Sequence, residues 1–143
     1  MTGKGLRRGL PVAGPSTVGA MASTIYERVG GEAFFAALVD RFYEGVEQDP
    51  LLRPLYPQDL EDSRRHLSLF LAQYWGGPRT YDDERGHPRL RMRHMPFRIG
   101  LAERDAWLRH MLAALDEAAI DPAAVAEMTA YFTQTATQLI NTV

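Results

Sequence analysis

The chain has no cysteine. That single absence removes disulfide scaffolds, thiolate zinc sites, iron–sulfur clusters and cysteine nucleophiles together. Long apolar runs are missing too: none approaches the roughly 20 residues needed to cross a bilayer, so a soluble protein with no membrane span is expected. No segment alternates in the manner of a strand, and neither a heptad series nor a fixed-period repeat occurs, which excludes coiled coils and solenoids. The HExxH spacing of zinc hydrolases is absent as well.

What is present is one ordinary domain's worth of chain, 143 residues with 45% hydrophobic and 24% charged side chains, enough to bury a single core. The net charge of −2 is unevenly spread. Residues 1–20 hold Lys4, Arg7 and Arg8 without one acid, so the remainder is five charges negative, with 13 bases against 18 acids. An acidic body argues against nucleic acid as a partner. The same 20 residues are rich in Gly and Pro and lack apolar periodicity, so residues 1–22 are expected to form a flexible N-terminal extension. They carry no secretory hydrophobic stretch, and Met21 stands as a candidate start where patterned sequence begins.

From Ser23 the pattern is helical. After Gly30-Gly31, Phe34, Leu38, Phe42 and Val46 recur at near-fourfold spacing beside a second row of Phe35, Val39 and Tyr43, predicting a helix with neighbours on two sides. Asp49-Pro50 ends it, and Leu51–Tyr56 reads as a tight helical corner. Asp59 is the expected N-cap of a helix running to about Trp75, with Leu60, Leu67, Phe70, Leu71 and Tyr74 on one side. Residues 76–88 read as a loop, followed by a short helix, Arg89–His94, which Pro96 stops. Two long helices close the chain. The first carries Trp107, Leu108, Met111, Leu112 and Leu115; the second starts at Asp121-Pro122 and carries Val125, Met128, Phe132, Ala136, Leu139 and Ile140.

Chemistry rests on few side chains. His66, His87, His94 and His110 do not form a metal-ligand pair in sequence, which leaves a cofactor needing one protein ligand; haem is such a cofactor, because the porphyrin supplies four nitrogens. His94, at a helix end, is the candidate ligand, although a histidine there also serves as a surface cap for the last carbonyls. Between Arg85 and Arg98 lie five arginines and two histidines with no acid, a run suited to carboxylates such as haem propionates, or equally to a solvated basic loop or a phosphate. Tyr43, Tyr56 and Trp107 each pair an apolar body with a polar hydrogen; they fit either a site for a polar ligand or ordinary core aromatics bonded to backbone.

The runs QYWGGPRTY at Gln73–Tyr81, GHPRLRMRH at Gly86–His94, PFRIG at Pro96–Gly100 and ERDAWL at Glu103–Leu108 resemble group II truncated haemoglobins, in order and spacing, from about Ile25 to Asn141. The resemblance implies an all-α, globin-like two-over-two helical sandwich over residues 23–143, with haem b as cofactor and His94 as the iron ligand. It places Trp107, Tyr43 and Tyr56 beside the bound gas, Leu67 at the apolar position facing iron, Ser63 where larger globins have a histidine, and Phe70 in the pocket wall. Tyr81, Arg93 and His66 fall at propionate contacts. His66 stands where an Arg is expected in close relatives, which makes that contact sensitive to pH. The implied function is reversible binding of dioxygen and other diatomic gases, released slowly because Trp107 and the tyrosines donate hydrogen bonds. The alternatives are a redox role, nitric oxide dioxygenation or peroxidase chemistry, and a haem-free helical interaction module. Expected partners are diatomic ligands, an electron-donating reductase and a second copy of the chain, in the cytoplasm.

Overall fold

The computed structural model describes residues 23–143; the expected flexible extension, residues 1–22, lies outside the described residues. Helix α1 (Ile25–Val29) is started by a reciprocal cap in which Glu27 N–H donates to Thr24 Oγ1 and Thr24 N–H to Glu27 Oε1, both at 3.1 Å. Gly30 and Gly31 follow with φ of 115° and 68°, a reversal that side chains with a Cβ resist. It lets α2 (Gly31–Glu47) leave at a new angle and bury Phe35, Leu38, Val39, Phe42, Tyr43 and Val46, both rows of the sequence pattern.

A 3-10 turn, Arg53–Leu55, makes the corner to α3 (Glu61–Tyr74). Leu60, not Asp59, occupies the N-cap, one residue later than expected. Asp59 Oδ1 still accepts from Glu61 N–H at 3.0 Å, so the carboxylate satisfies a first-turn donor from outside the helix. A short helix, α4 (Thr80–Arg85), replaces part of the expected loop. Its six residues hold because Tyr81 is buried edge-on against Phe70, ring centroids 5.5 Å apart, and Gln73 Oε1 accepts from Asp82 N–H at 3.0 Å. Those anchors are tertiary and leave no periodic trace. Next come α5 (Leu90–His94), α6 (Leu101–Asp116) and α7 (Pro122–Gln138). Asp121 caps α7 by accepting from Ala124 N–H at 2.8 Å, and Leu139 and Ile140 lie past its end.

Helix α2 packs on both α3 and α6, and α6 on α7, giving the all-helical, globin-like two-over-two sandwich. The core lies where these meet, with Phe35, Phe42, Met111, Leu115, Met128 and Phe132 fully enclosed. Among the described residues no helix is long and apolar enough to cross a membrane.

A polar latch joins α2 to α6. The buried Asp49 carboxylate accepts from Leu51 N–H at 2.9 Å and from His110 Nε2 at 2.7 Å. The imidazole lies against Gly45, where an added Cβ would sit 2.4 Å from His110 Nδ1. Gly45→Ala therefore displaces the ring and is expected to cost about 1–3 kcal/mol, the usual penalty of overpacking, read as a lower urea midpoint at unchanged slope. The hydrogen bond from His110, followed by those from the Leu51 and Leu52 amides, holds the Asp49 carboxyl below its ordinary range despite burial. Since the folded pKa is the lower one, the latch stabilises fully above the unfolded value of about 3.9. Its contribution fades as pH falls from there through the folded value. Asp49→Asn is expected to flatten that acid limb while lowering stability near neutrality, measured by urea unfolding across pH.

Candidate functional site

Where the helices diverge they enclose a cavity of about 390 Å³, within the range of small-molecule sites. All ten residues that the resemblance places in the site line it: Tyr43 from α2, Tyr56 from the corner, Ser63, His66, Leu67 and Phe70 from α3, Tyr81 from α4, Arg93 and His94 from α5, and Trp107 from α6, whereas His87 and His110 stand outside it. Trp107, Leu67 and Phe70, which periodicity alone would assign to the core, are half-buried because they face this space.

One part of the wall gathers polar hydrogens on an apolar ground. The Tyr43 and Tyr56 rings meet edge to face with centroids 5.5 Å apart. Burial pushes the Tyr43 hydroxyl far above its ordinary range, with a smaller push from Tyr56 and an opposing hydrogen bond from Ser63. Burial likewise pushes Tyr56 up to about 12, against the opposing hydrogen bond from the Trp107 indole. Both phenols consequently keep their protons at neutral pH and remain donors. Phe42 and Phe132 both pack against the indole, at centroid distances of 5.1 and 6.0 Å.

A second part is basic. Among the described residues His66, Arg85, Arg93 and Arg104 line the cavity with a single carboxylate, Glu103, which accepts from Gly100 N–H at 2.8 Å. Arg93 is braced by donating to the carbonyls of Pro88 at 2.8 Å and Arg85 at 3.3 Å. Arg85 donates to His66 Nδ1 and lies over the Tyr81 ring. Burial first, and the Arg85 charge second, hold the His66 imidazole below its ordinary pKa, so it is neutral and accepting at pH 7. The excess of positive charge suits an anionic ligand edge.

His94 has one decisive contact. Its Nδ1 lies 2.7 Å from the Leu90 carbonyl, one turn earlier on α5. A carbonyl can only accept, so Nδ1 bears a proton and, in the neutral ring, Nε2 keeps its lone pair, the tautomer required of a metal ligand. Among the described residues no group of three His, Cys, Asp or Glu side chains could hold a metal. A metal at His94 therefore needs its other donors from a non-protein frame, and the donor set fits a tetrapyrrole: one imidazole, an apolar cleft and a basic rim.

Sequence reasoning missed the α7 wall, Tyr131, Phe132, Thr135, Ala136 and Leu139, as well as Arg104 and Ile99. A signal existed in the polar pair Tyr131 and Thr135, four residues apart on the apolar stripe, which marks a face that is not wholly core.

The bacterial-like globin family model matches residues 24–141. The group 2 truncated haemoglobin YjbI of Bacillus subtilis is 47% identical over 96 residues, covering 67% of this chain and 72% of that protein. Among solved structures, the haemoglobin of the thermophilic phototrophic bacterium Chloroflexus aurantiacus is 59% identical, with a TM-score of 0.82 over 83% of this chain and 98% of its own. A truncated oxygen-avid haemoglobin from Bacillus subtilis is 40% identical, with a TM-score of 0.79 over 83% of this chain and 100% of its own.

Proposed function

Because this chain belongs to the bacterial-like globins, as a truncated haemoglobin with group II relatives, we propose that it binds haem b and, through it, dioxygen and other diatomic gases. The observation that carries the reading is the Nδ1 contact of His94 with the Leu90 carbonyl, which in the neutral ring leaves the Nε2 lone pair on a side chain that lines the cavity at a helix end. When bound, the haem iron supplies a coordination position on which a small gas is held reversibly.

The chain's own residues do the rest. His94 Nε2 would hold the iron, its basicity raised by the Leu90 carbonyl that accepts from the other ring nitrogen. Leu67 and Phe70 contribute apolar surface that excludes water, which strengthens each hydrogen bond made inside. Trp107, Tyr43 and Tyr56 are the donors to a gas that draws electron density, and their protonated state at neutral pH follows from their burial. Arg93, Tyr81 and His66 would hold the carboxylates at the rim. Slow release is the consequence, in keeping with the oxygen-avid character of the Bacillus subtilis relative.

Absorption spectra of the purified protein test the reading directly. A Soret band that shifts on reduction and again under carbon monoxide is expected; protein that stays colourless when hemin is supplied would end it.

A further inference from the structure

One group of aromatic residues runs from the cavity to solvent and has no part in holding a gas. Tyr131 of α7 lines the cavity, and its ring lies 4.1 Å, centroid to centroid, from that of Tyr74, inclined by 32°. Tyr74 ends α3 and is 53% exposed. Trp75 touches both rings edge-on, at 5.3 and 5.1 Å. Phenylalanine would pack at either tyrosine position, yet it could not give up an electron at a comparable potential. A phenol can, provided that its proton has somewhere to go. For Tyr74 that place is water, whereas Tyr131 is half-buried and hydrogen-bonded with Thr135.

We propose that Tyr131 and Tyr74 relay oxidising equivalents from the cavity to the surface, making Tyr74 a site at which small phenols are oxidised one electron at a time, with hydrogen peroxide as the oxidant. This rests on the haem-binding reading above. The balance is complete: hydrogen peroxide takes up two electrons and two protons in the cavity, its O–O bond breaks and two waters form. Each electron drawn from Tyr131 is replaced from Tyr74, which releases its phenolic proton to water. Two molecules of phenol at the surface each return one electron and one proton to Tyr74 and leave as phenoxyl radicals, so the two protons released to water match the two that peroxide takes up and Tyr131 undergoes no net change. Contact between the two tyrosine rings means that the phenol does not have to enter the cavity.

The test uses haem-loaded wild type, Tyr131→Phe and Tyr74→Phe, compared at equal haem content. Each is treated with hydrogen peroxide in the presence of a nitroso spin trap; adducts are located by mass spectrometry, and the radical is read by freeze-quench electron paramagnetic resonance. Wild type is expected to carry the adduct on Tyr74. Tyr131→Phe should lose most of that adduct, and Tyr74→Phe should oxidise 2-methoxyphenol several-fold more slowly. A Tyr74 adduct undiminished in Tyr131→Phe, or a wild-type adduct found only on Tyr43, Tyr56 or Tyr81, overturns the relay and leaves haem binding standing. Equal rates of methoxyphenol oxidation in wild type and Tyr74→Phe overturn the surface site. Failure of wild type to develop a Soret band overturns both readings at once.

Discussion

His94→Ala is expected to abolish haem retention: the purified variant should lack the Soret band, and hemin titration should show affinity weakened by more than about 100-fold, since loss of a mere partner to a metal ligand costs about 10–100-fold. Among the described residues no other histidine is placed to substitute. His66 Nδ1 accepts from Arg85, His110 Nε2 is held by Asp49, and His87 sits in an exposed loop with Nδ1 facing the Arg89 amide. The Tyr43 and Tyr56 phenols are raised well above their ordinary range, so neither offers a phenolate to iron at neutral pH. Thermal stability should fall as well, because a ligand that binds only the folded chain stabilises it in proportion to the logarithm of its concentration over Kd. Adding free imidazole to His94→Ala separates ligation from structure. Recovery of the Soret band is expected, as the added ring fills the space left by the side chain, and a merely structural His94 would not be rescued. A variant that keeps the wild-type spectrum would remove His94 from the iron.

The parts of the fold that were legible from sequence are those whose information is local. Helices α2, α3, α6 and α7 bury apolar stripes of helical period, and their limits are marked by Gly30-Gly31, Asp49-Pro50, Gly76 and Asp121-Pro122. Helix α4 was not legible, because what holds it is a buried Tyr81 and a Gln73 side chain nine residues from the Asp82 amide. Periodicity is also blind to cavities. Leu67, Phe70 and Trp107 recur as core residues do, and the tertiary arrangement decides that they line a space. Their placement in the candidate site came from the resemblance in the runs around Gln73–Tyr81, Gly86–His94 and Glu103–Leu108. The α7 wall went unread for the same reason: Phe132 and Ala136 belong to core and cavity together, and only the hydroxyls of Tyr131 and Thr135 hinted at a second face. The rim chemistry was half legible. The run of arginines was plain, but the hydrogen bond that makes His66 an acceptor for Arg85 joins residues nineteen apart on different helices.

Trp107→Phe is expected to release dioxygen about 10–100-fold faster, the factor that follows from losing a hydrogen bond worth about 1.5–3 kcal/mol to a charged or strongly polarised partner. Phenylalanine keeps a ring packed against Phe42 and Phe132, so the indole N–H is the main loss, with a small void where the second ring stood. That N–H does two things at once. It bonds to the Tyr56 oxygen, which leaves the Tyr56 hydrogen free to point elsewhere in the cavity, and it lies in the wall where a bound gas would draw negative charge. Removing it therefore loosens Tyr56 as well as the direct contact, and Trp107→Phe combined with Tyr56→Phe should cost less than the sum of the single changes, as coupled members of one network do. Carbon monoxide provides the internal control, since it draws little charge when bound and its release should change much less than that of dioxygen. Stopped-flow displacement of each gas measures both rates. If dioxygen leaves Trp107→Phe no faster than wild type, or if the two gases accelerate alike, the indole acts through packing alone and the donor role passes to the tyrosines.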